Sequence, residues 1–519
     1  ALVRGDESTL RHALAQLEQA ALVFRRGDPP EAVYSFKHAL VRDAAYDNLL
    51  KSRRQQLHAQ IARTLEEKFA ETVASEPEIV AHHFTEAGLA EPAIDYWLKA
   101  GQHAARRSAN AEALNHLARG LELLPTIDDP IRRNKLELLL QTSLGHSLRA
   151  IRGWSTDSVK HAYTRALQLC KESGFDEHTF PAAFGLWTWN FVRTALGEAQ
   201  ALAEHLVDTA ENLNDPVCKV LAHEALGFTL FAHGKFAAAH AELERSVSLC
   251  EDSKAAAYLD LSAQDPRVHA RLYDGMVLWL LGYPDRALRI CVEARGYADG
   301  SQHPFSEAMA RTIALRLHQF RGEAAIVADQ ADAAIAFCEE HEFVHYLAMA
   351  LILRGWASAQ RGEFEKGIAE MQAGLEKERA TGALLYESYV LGLLADACIR
   401  NERYEEALGF LNQAQSRLDE KNSERFYAAE IYRLFGEIYL RSYRDLDQAE
   451  RYLCKGLEIT RAQKAKSLEL KLGVSMYDLG AQRQNAGSYR AQLGEIYGSF
   501  SEGFETADLV GAKARLRNC

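Results

Sequence analysis

Residues 341–345 read His-Glu-Phe-Val-His. The spacing fits H-E-x-x-H, in which two histidines one helical turn apart hold a zinc ion and the glutamate activates its bound water. Glu365, 20 residues past His345, has the type and spacing of a third ligand. His341, Glu342, His345 and Glu365 would then form a metal hydrolase, on condition that both histidines share one continuous helix beside a substrate cleft.

Other chemistry is scarcer. AHGKF at 232–236 ends like a P-loop, but Gly227 lies too far upstream and Phe236 stands where a Ser or Thr would hold Mg²⁺. Neither GxGxxG nor GxSxG occurs. His82, His83 and His103 fall on helical stretches as packing or surface histidines. No constellation supports an active site, and neither a cofactor nor a metal is expected.

The elements that position these residues form a repeat. LRGWASAQRGEFEKGIAEMQAGLE at 353–376, LLADACIRNERYEEALGFLNQAQS at 393–416 and LFGEIYLRSYRDLDQAERYLCKGLE at 434–458 share one pattern. An early small residue (Gly355, Ala395, Gly436) precedes a polar turn and a second small residue (Gly367, Ala407, Ala449). A large apolar residue (Met371, Leu411, Leu453) and another small one (Gly374, Ala414, Gly456) follow. The offset between the first two small residues is 12, 12 and 13, so the third copy carries one extra residue in its turn. Small residues at these offsets let two antiparallel helices touch closely, which is the tetratricopeptide (TPR) pattern.

Gly227/Ala239/Leu243, Gly275/Ala287/Cys291 and Gly101/Ala113/Leu117 keep the offsets, with weaker copies around Gly145, Trp187, Ala314 and Gly473. The period is near 40 residues, giving nine or ten helix pairs. The expected fold is all-α. A TPR-like α-solenoid superhelix covers 76–487, a small helical segment covers 1–75 (winged-helix-like by the family resemblance given below), and a capping helix and tail cover 488–519. In this frame His341–His345 straddles an inter-repeat turn, and Glu365 falls in the turn-and-helix-start slot that NERYEEA fills at 401–407. The zinc motif is therefore read as accidental.

Composition agrees with a long helical array. The 519 residues are 48% hydrophobic and 25% charged with only 11 prolines, and the net charge of -12 argues against a general nucleic-acid binder. Residues 1–63 are mildly basic, and their Lys51, Arg53, Arg54 cluster reads as a solvated helix face. No run of about 18 apolar residues suggests a membrane span. The start, ALVRGDEST, reads as neither a signal peptide nor an initiation site, so the chain is expected to be a piece of a longer protein. Eight cysteines, none closer than 32 residues to the next, read as reduced thiols of a cytoplasmic protein.

Several segments closely resemble one bacterial family. They are YSFKHALVRDAAYDNLL from Tyr34, EPEIVAHHFTEAGLAEPAIDYWLKAGQHAARR from Glu76, GLWTWNFVRTALGEAQALAEHL at 185–206, LLGYPDRAL at 280–288, ILRGWASAQRG at 352–362 and YGSFSEGFETADLVGAKARL at 497–516. Members are large signalling proteins, common in rhizobia, that join a class III adenylate/guanylate cyclase domain to a STAND-type AAA ATPase and a C-terminal TPR region. The stretch from Phe36 to Tyr46 resembles the winged-helix-like segment that follows the ATPase. The family's cyclase carboxylates and Walker A lysine have no counterpart here. The resemblance implies a non-catalytic sensor and scaffold that biases an ATPase and, through it, cyclic-nucleotide synthesis. A free-standing TPR adaptor and the arm of a STAND transcription regulator are the competing readings.

First helices of each pair should line an inner groove. Trp187, Trp189, Phe228, Phe231, Trp279 and Trp356 fall in them and suit a protein or peptide partner. Arg400, Arg433 and Arg441 could clamp a carboxylate. Aromatics in helix pairs also fill inter-helix cores, which is the reading favoured for Trp279 among Val277, Leu278, Leu280 and Leu281. The expected partners are a protein or peptide, or upstream ATPase and cyclase domains in cis, with no nucleic acid, membrane or metal.

Overall fold

Gly355 and Gly367 sit face to face, so close that a Cβ added to Gly355 would stand 2.6 Å from the Gly367 carbonyl oxygen. The same device recurs at Gly227 against Leu243 and Gly436 against Leu453, where an added Cβ would meet the leucine side chain at 2.7 and 2.6 Å. Helix pairing at the predicted offsets therefore generates the fold. The structure, a computed structural model, describes residues 7–28, 32–107, 109–262, 264–301, 303–420 and 423–517. The six opening residues and Cys519 lie outside that range.

Two compact units divide the chain, one comprising residues up to 151 with 168–175, the other 152–167 and 176 onward. In the first, α1 (Glu7–Gln19) leads into an antiparallel hairpin of β1 (Val23–Arg26) and β2 (Val33–Phe36), with Val23 opposite Phe36. Then come α2 (Ala39–Asp47), α3 (Lys51–Lys68), α4 (Ala70–Ser75), α5 (Pro77–Glu86), α6 (Ala90–Arg106), α7 (Asn110–Leu123) and α8 (Pro130–Arg152). Helices α1 and α2 flank this two-stranded hairpin. Ala62 of α3, Phe84 of α5 and Trp97 of α6 share one core, so this unit runs past residue 75. Helix α9 (Asp157–Ser173) begins in one unit and ends in the other.

The second unit stacks eight helix pairs. They are α10 (Thr179–Val192) with α11 (Leu196–Leu213), α12 (Pro216–Ala232) with α13 (Phe236–Leu249), and, after the short α14 (Ala255–Ser262), α15 (Pro266–Leu280) with α16 (Pro284–Ser301). Next are α17 (Pro304–Phe320) with α18 (Ala324–Glu340), α19 (Val344–Gln360) with α20 (Phe364–Ala380), and α21 (Glu387–Arg400) with α22 (Tyr404–Asp419). The last are α23 (Ala428–Ile438) with α24 (Leu446–Gln463) and α25 (Lys466–Gln482) with α26 (Ala486–Gly498), closed by α27 (Ala507–Arg517). Proline at the first turn starts α12, α15 and α17, and the Asp215 and Asp265 side chains cap α12 and α15 by accepting from the Cys218 and Arg267 amides.

Three details depart from the expected register. The extra residue of the third copy is absorbed by a π-helical turn at Tyr439–Tyr443. In the copy centred on Ala314, Leu315 stands five residues before the end of α17, where Gly227, Gly275 and Gly355 stand in α12, α15 and α19. That slot is filled by a large residue, which displaced the reading by one. Finally, α26 completes the last pair, so the closing element is α27, packed through Leu509 and Ala512 onto Leu470, Leu493 and Ile496.

The second unit winds into a closed superhelix. The Leu384 amide donates to the Val192 carbonyl at 2.9 Å, and the Arg425 amide to the Ala232 carbonyl at 2.7 Å. Ser467 Oγ donates to the Trp279 carbonyl, 188 residues away in sequence. In each case the end of one first helix meets the approach to, or the first turn of, the first helix five pairs on. One superhelical turn therefore takes five pairs, and these hydrogen bonds, with side-chain packing such as Phe231 on Phe426, belong to the seam between turns.

Candidate functional site

The zinc motif does not assemble. His341 is the C-cap of α18, Glu342 turns the chain with φ +57°, and His345 lies in the first turn of α19. The left-handed residue breaks the continuous helix that the motif requires. His341 Nδ1 lies 3.0 Å from the Phe337 carbonyl and His345 Nδ1 2.7 Å from Glu378 Oε1. Glu365 pairs with Arg403 at 3.1 Å. Among the described residues no three His, Cys, Asp or Glu side chains converge on a metal position. Cys218, Cys291, Cys338 and Cys398 are buried free thiols, whereas Cys454 is exposed.

Five-pair closure turns the expected open groove into a sealed axis. Trp187, Trp189, Phe228, Phe231, Trp279 and Trp356 are only 1–7% exposed, covered by their own chain. Phe231 packs on Phe426 across the seam with ring centroids 5.0 Å apart, and Phe228 on Tyr273 at 4.0 Å. Trp279 stacks on Phe320 at 4.8 Å, and Trp187 Nε1 donates to Thr229. Trp189 Nε1 donates to the Thr156 carbonyl. These six are buried and present no open face.

The arginines divide. Arg400 is exposed at the end of α21. Arg433 is partly buried and already holds Glu430 Oε1 at 2.8 Å and Glu437 Oε1 at 3.4 Å, while Arg441 holds Glu437 Oε2 at 2.8 Å. Spacings of three and four residues put Glu430, Arg433, Glu437 and Arg441 on one helical stripe, so Arg433 clamps carboxylates of its own helix. Despite burial, the charge of Arg433, with Lys471 beside it, depresses the Glu430 carboxyl to about 2.

Sequence reading missed Arg316, one residue beyond the Leu315 slot on α17. It is 2% exposed, and its Nε and Nη1 have no hydrogen-bond partner. Its guanidinium lies 4.0 Å from the ring centroid of Tyr386 and 5.7 Å from that of Tyr389. The Tyr386 hydroxyl meets the Tyr273 hydroxyl, and Tyr389 Oη donates to Gln319 Oε1 at 2.8 Å. Among the described residues no carboxylate pairs with Arg316. Phe228 and Trp356 occupy the same slot on their helices, so slot-by-slot comparison exposes a cation in an aromatic position.

Tyr386 is held there by an unusual backbone. It precedes α21 with φ +70°, a left-handed conformation rare for a bulky residue. Buried Glu424 fixes it, accepting from the Tyr386 amide at 2.9 Å, the Ser388 amide at 3.2 Å and Ser388 Oγ. The next residue, Arg425, makes the seam bond to Ala232. The cage around Arg316 and the seam are therefore built from the same short segments.

No family model matches the chain. Over 477 residues it is 22% identical to an uncharacterized protein of Rhizobium meliloti (strain 1021), a match that takes in 91% of this chain and 46% of that protein. The chain thus spans under half the length of the curated relative it matches. Among solved structures, a Rap protein complexed with competence and sporulation factor is similar with TM-score 0.49 and 10% identity, covering 70% of this chain and 98% of that one. The apo form of RapI has TM-score 0.37 and 13% identity, covering 53% and 99% of the two chains. The Rap conjugation gene regulator of plasmid pLS20 with the Phr* peptide has TM-score 0.37 and 10% identity, covering 82% and 96%. At these scores and identities no function passes from those proteins to this chain.

Proposed function

We propose that the chain is a non-catalytic recognition module whose second unit binds a peptide or protein partner on the superhelix axis and opens at the seam to admit it. One observation carries this reading: a cation with no carboxylate partner among the described residues and several tyrosines lie on an axis closed by hydrogen bonds and side-chain packing at the seam. A rod built only for support would fill that axis with apolar side chains at lower cost. Binding then favours whichever superhelical state fits the partner, and coupling requires that the two states differ in affinity.

The test is selection of a random peptide library on the purified full chain, with hydrogen–deuterium exchange mapping of the retained peptides. Protection of α12, α15, α17 and α21 supports axial binding. Protection confined to the outer second helices contradicts it.

A wider role supports itself on the family resemblance: the module would report its bound state to upstream ATPase and cyclase domains. Two observations favour it over a free-standing adaptor. The Rhizobium relative extends well beyond the matched region. The first unit also exposes Phe24, Leu40, Leu50 and Phe69 at 56, 83, 77 and 51%, the kind of apolar surface that a partner covers. Reading the genomic frame upstream of Ala1 tests this: a P-loop and class III cyclase carboxylates support it, and a nearby start codon contradicts it.

No helix among the described residues is long and apolar enough to cross a membrane.

A further inference from the structure

We propose that the cage around Arg316 binds a carboxylate, carried by a small organic acid or by an acidic peptide. This deepens the reading of the axis as a recognition site and rests on it. A buried guanidinium without a counter-charge is costly, because desolvation is not repaid by any ion pair. The comparison within the same unit is direct. Partly buried Arg433 is matched by buried Glu430 and Glu437, and Lys471 lies 3.7 Å from Glu430. Arg316 keeps two nitrogens unmatched.

The groups facing Arg316 cannot neutralise it. Burial pushes the phenols of Tyr273, Tyr386 and Tyr389 up, so all three are uncharged at neutral pH. The Tyr386 oxygen accepts a hydrogen bond from Arg316 without neutralising it, and the Tyr389 proton goes to Gln319. In the Tyr273–Tyr386 pair only one hydroxyl donates to the other, which leaves the second proton for an outside acceptor. One fixed positive charge, two unmatched guanidinium nitrogens and a spare hydroxyl proton suit a singly charged acceptor. A phosphate dianion would bring one charge more than the cage can balance.

The strained Tyr386 is the second, independent observation. A left-handed bulky residue persists where its surroundings over-determine it, and such strain clusters at ligand sites. Here buried Glu424 holds the strain and keeps the Tyr386 ring over the guanidinium. Access follows from the seam, since the Leu384 and Leu385 amides that bond Val192 immediately precede Tyr386.

The experiment is thermal unfolding of the full chain in sodium acetate, sodium glutarate, sodium phosphate and sodium chloride at matched ionic strength. It compares wild type with Arg316→Met, Arg316→Lys and, as a fold control, Arg400→Met. Expected is a saturable rise of about 2–4 °C in acetate or glutarate over chloride. The rise should be absent in Arg316→Met, weakened in Arg316→Lys and intact in Arg400→Met. In chloride Arg316→Met should melt no lower than wild type, because it removes an unmatched charge.

A destabilised Arg316→Met with no anion effect in wild type means that the guanidinium is satisfied internally, and overturns the proposal. So does an anion effect that survives in Arg316→Met, or a larger effect of phosphate than of carboxylate. Glutarate acting where acetate does not points to an acid with a second anchoring group; equal action points to the carboxylate alone, and either supports the site. If the carboxylate effect fails while library peptides still protect the axial helices, only this proposal falls. If both fail, the axial reading falls with it.

Discussion

The hydroxyls of Tyr273 and Tyr386 hydrogen-bond to each other although 113 residues separate them. That bond joins α15 to the residue that caps α21, three pairs further on, and so ties distant parts of one superhelical turn together at its axis. In a solenoid each pair touches mainly its neighbours and stability approximates a nearest-neighbour sum. Long-range bonds at the axis and seam add cooperativity that such a sum lacks.

Glu424 should be central to that arrangement. Glu424→Ala leaves the buried Tyr386 and Ser388 amides without their acceptor, a loss of about 1–3 kcal/mol. Urea unfolding reads the loss, and a changed near-ultraviolet dichroism should show Tyr386 leaving the cage.

Arg433 and Arg316 should respond in opposite directions to loss of charge. Arg433→Met strands the Glu430 and Glu437 carboxylates and should cost about 3–5 kcal/mol in urea unfolding. A cost well under 1 kcal/mol would show that the network is open to solvent.

Seam packing can be separated from turn strain by two glycines at equivalent turn positions. Gly282 (φ +91°) and Gly362 (φ +89°) both end first helices, but an added Cβ meets Lys466 Cβ at 2.9 Å only at Gly282. Gly362→Ala should cost about 1–2 kcal/mol for the left-handed backbone. Gly282→Ala should cost a further ~1–3 kcal/mol for overpacking against α25. Equal losses in denaturant titrations would remove the seam as a stabilising contact.

Acid should weaken the first unit through His83. Burial, then the charges of His58 and His82, lower it from 6.5 to about 4, with Glu86 opposing. His58 and His83 face each other Nδ1 to Nδ1 at 2.8 Å, and His58 also meets Tyr46. Because the folded value lies below the unfolded one, the contribution is whole above pH 6.5 and declines as pH falls from 6.5 towards 4. His83 is only partly enclosed, so the effect is on the order of 1 kcal/mol. Protection factors of the α5 amides, in which the intrinsic pH dependence of exchange is divided out, should be lower at pH 5 than at pH 7.5 in wild type and change less in His83→Gln.

Much of the fold was legible in residue types. Glycine and alanine offsets located the pairs because close backbone approach excludes larger side chains, and the turn at His341–His345 followed from that frame. The extra residue before Ala449 was visible as an offset and appears as the π turn at Tyr439–Tyr443. Five-pair closure was not legible, since superhelical pitch is the sum of small rotations that no single repeat encodes. For that reason Phe231 was read as a groove residue although Phe426 of the next turn packs on it. Arg316 escaped because Leu315 fills a slot elsewhere held by glycine, which masks the register. The Glu430–Arg433–Glu437 stripe was legible from its spacing, and weighing it would have removed Arg433 as a clamp.

The central claim, that the axis opens at the seam, is tested most directly by native-state hydrogen exchange at the Leu384, Leu385 and Arg425 amides, each bonded across the seam. Opening predicts that these exchange at least about 100-fold faster than mid-helix amides of α12 and α21, with little dependence on low denaturant, the signature of a local opening. Exchange of the seam amides only together with the mid-helix amides, through global unfolding, would contradict the account and make the axis a permanently sealed core.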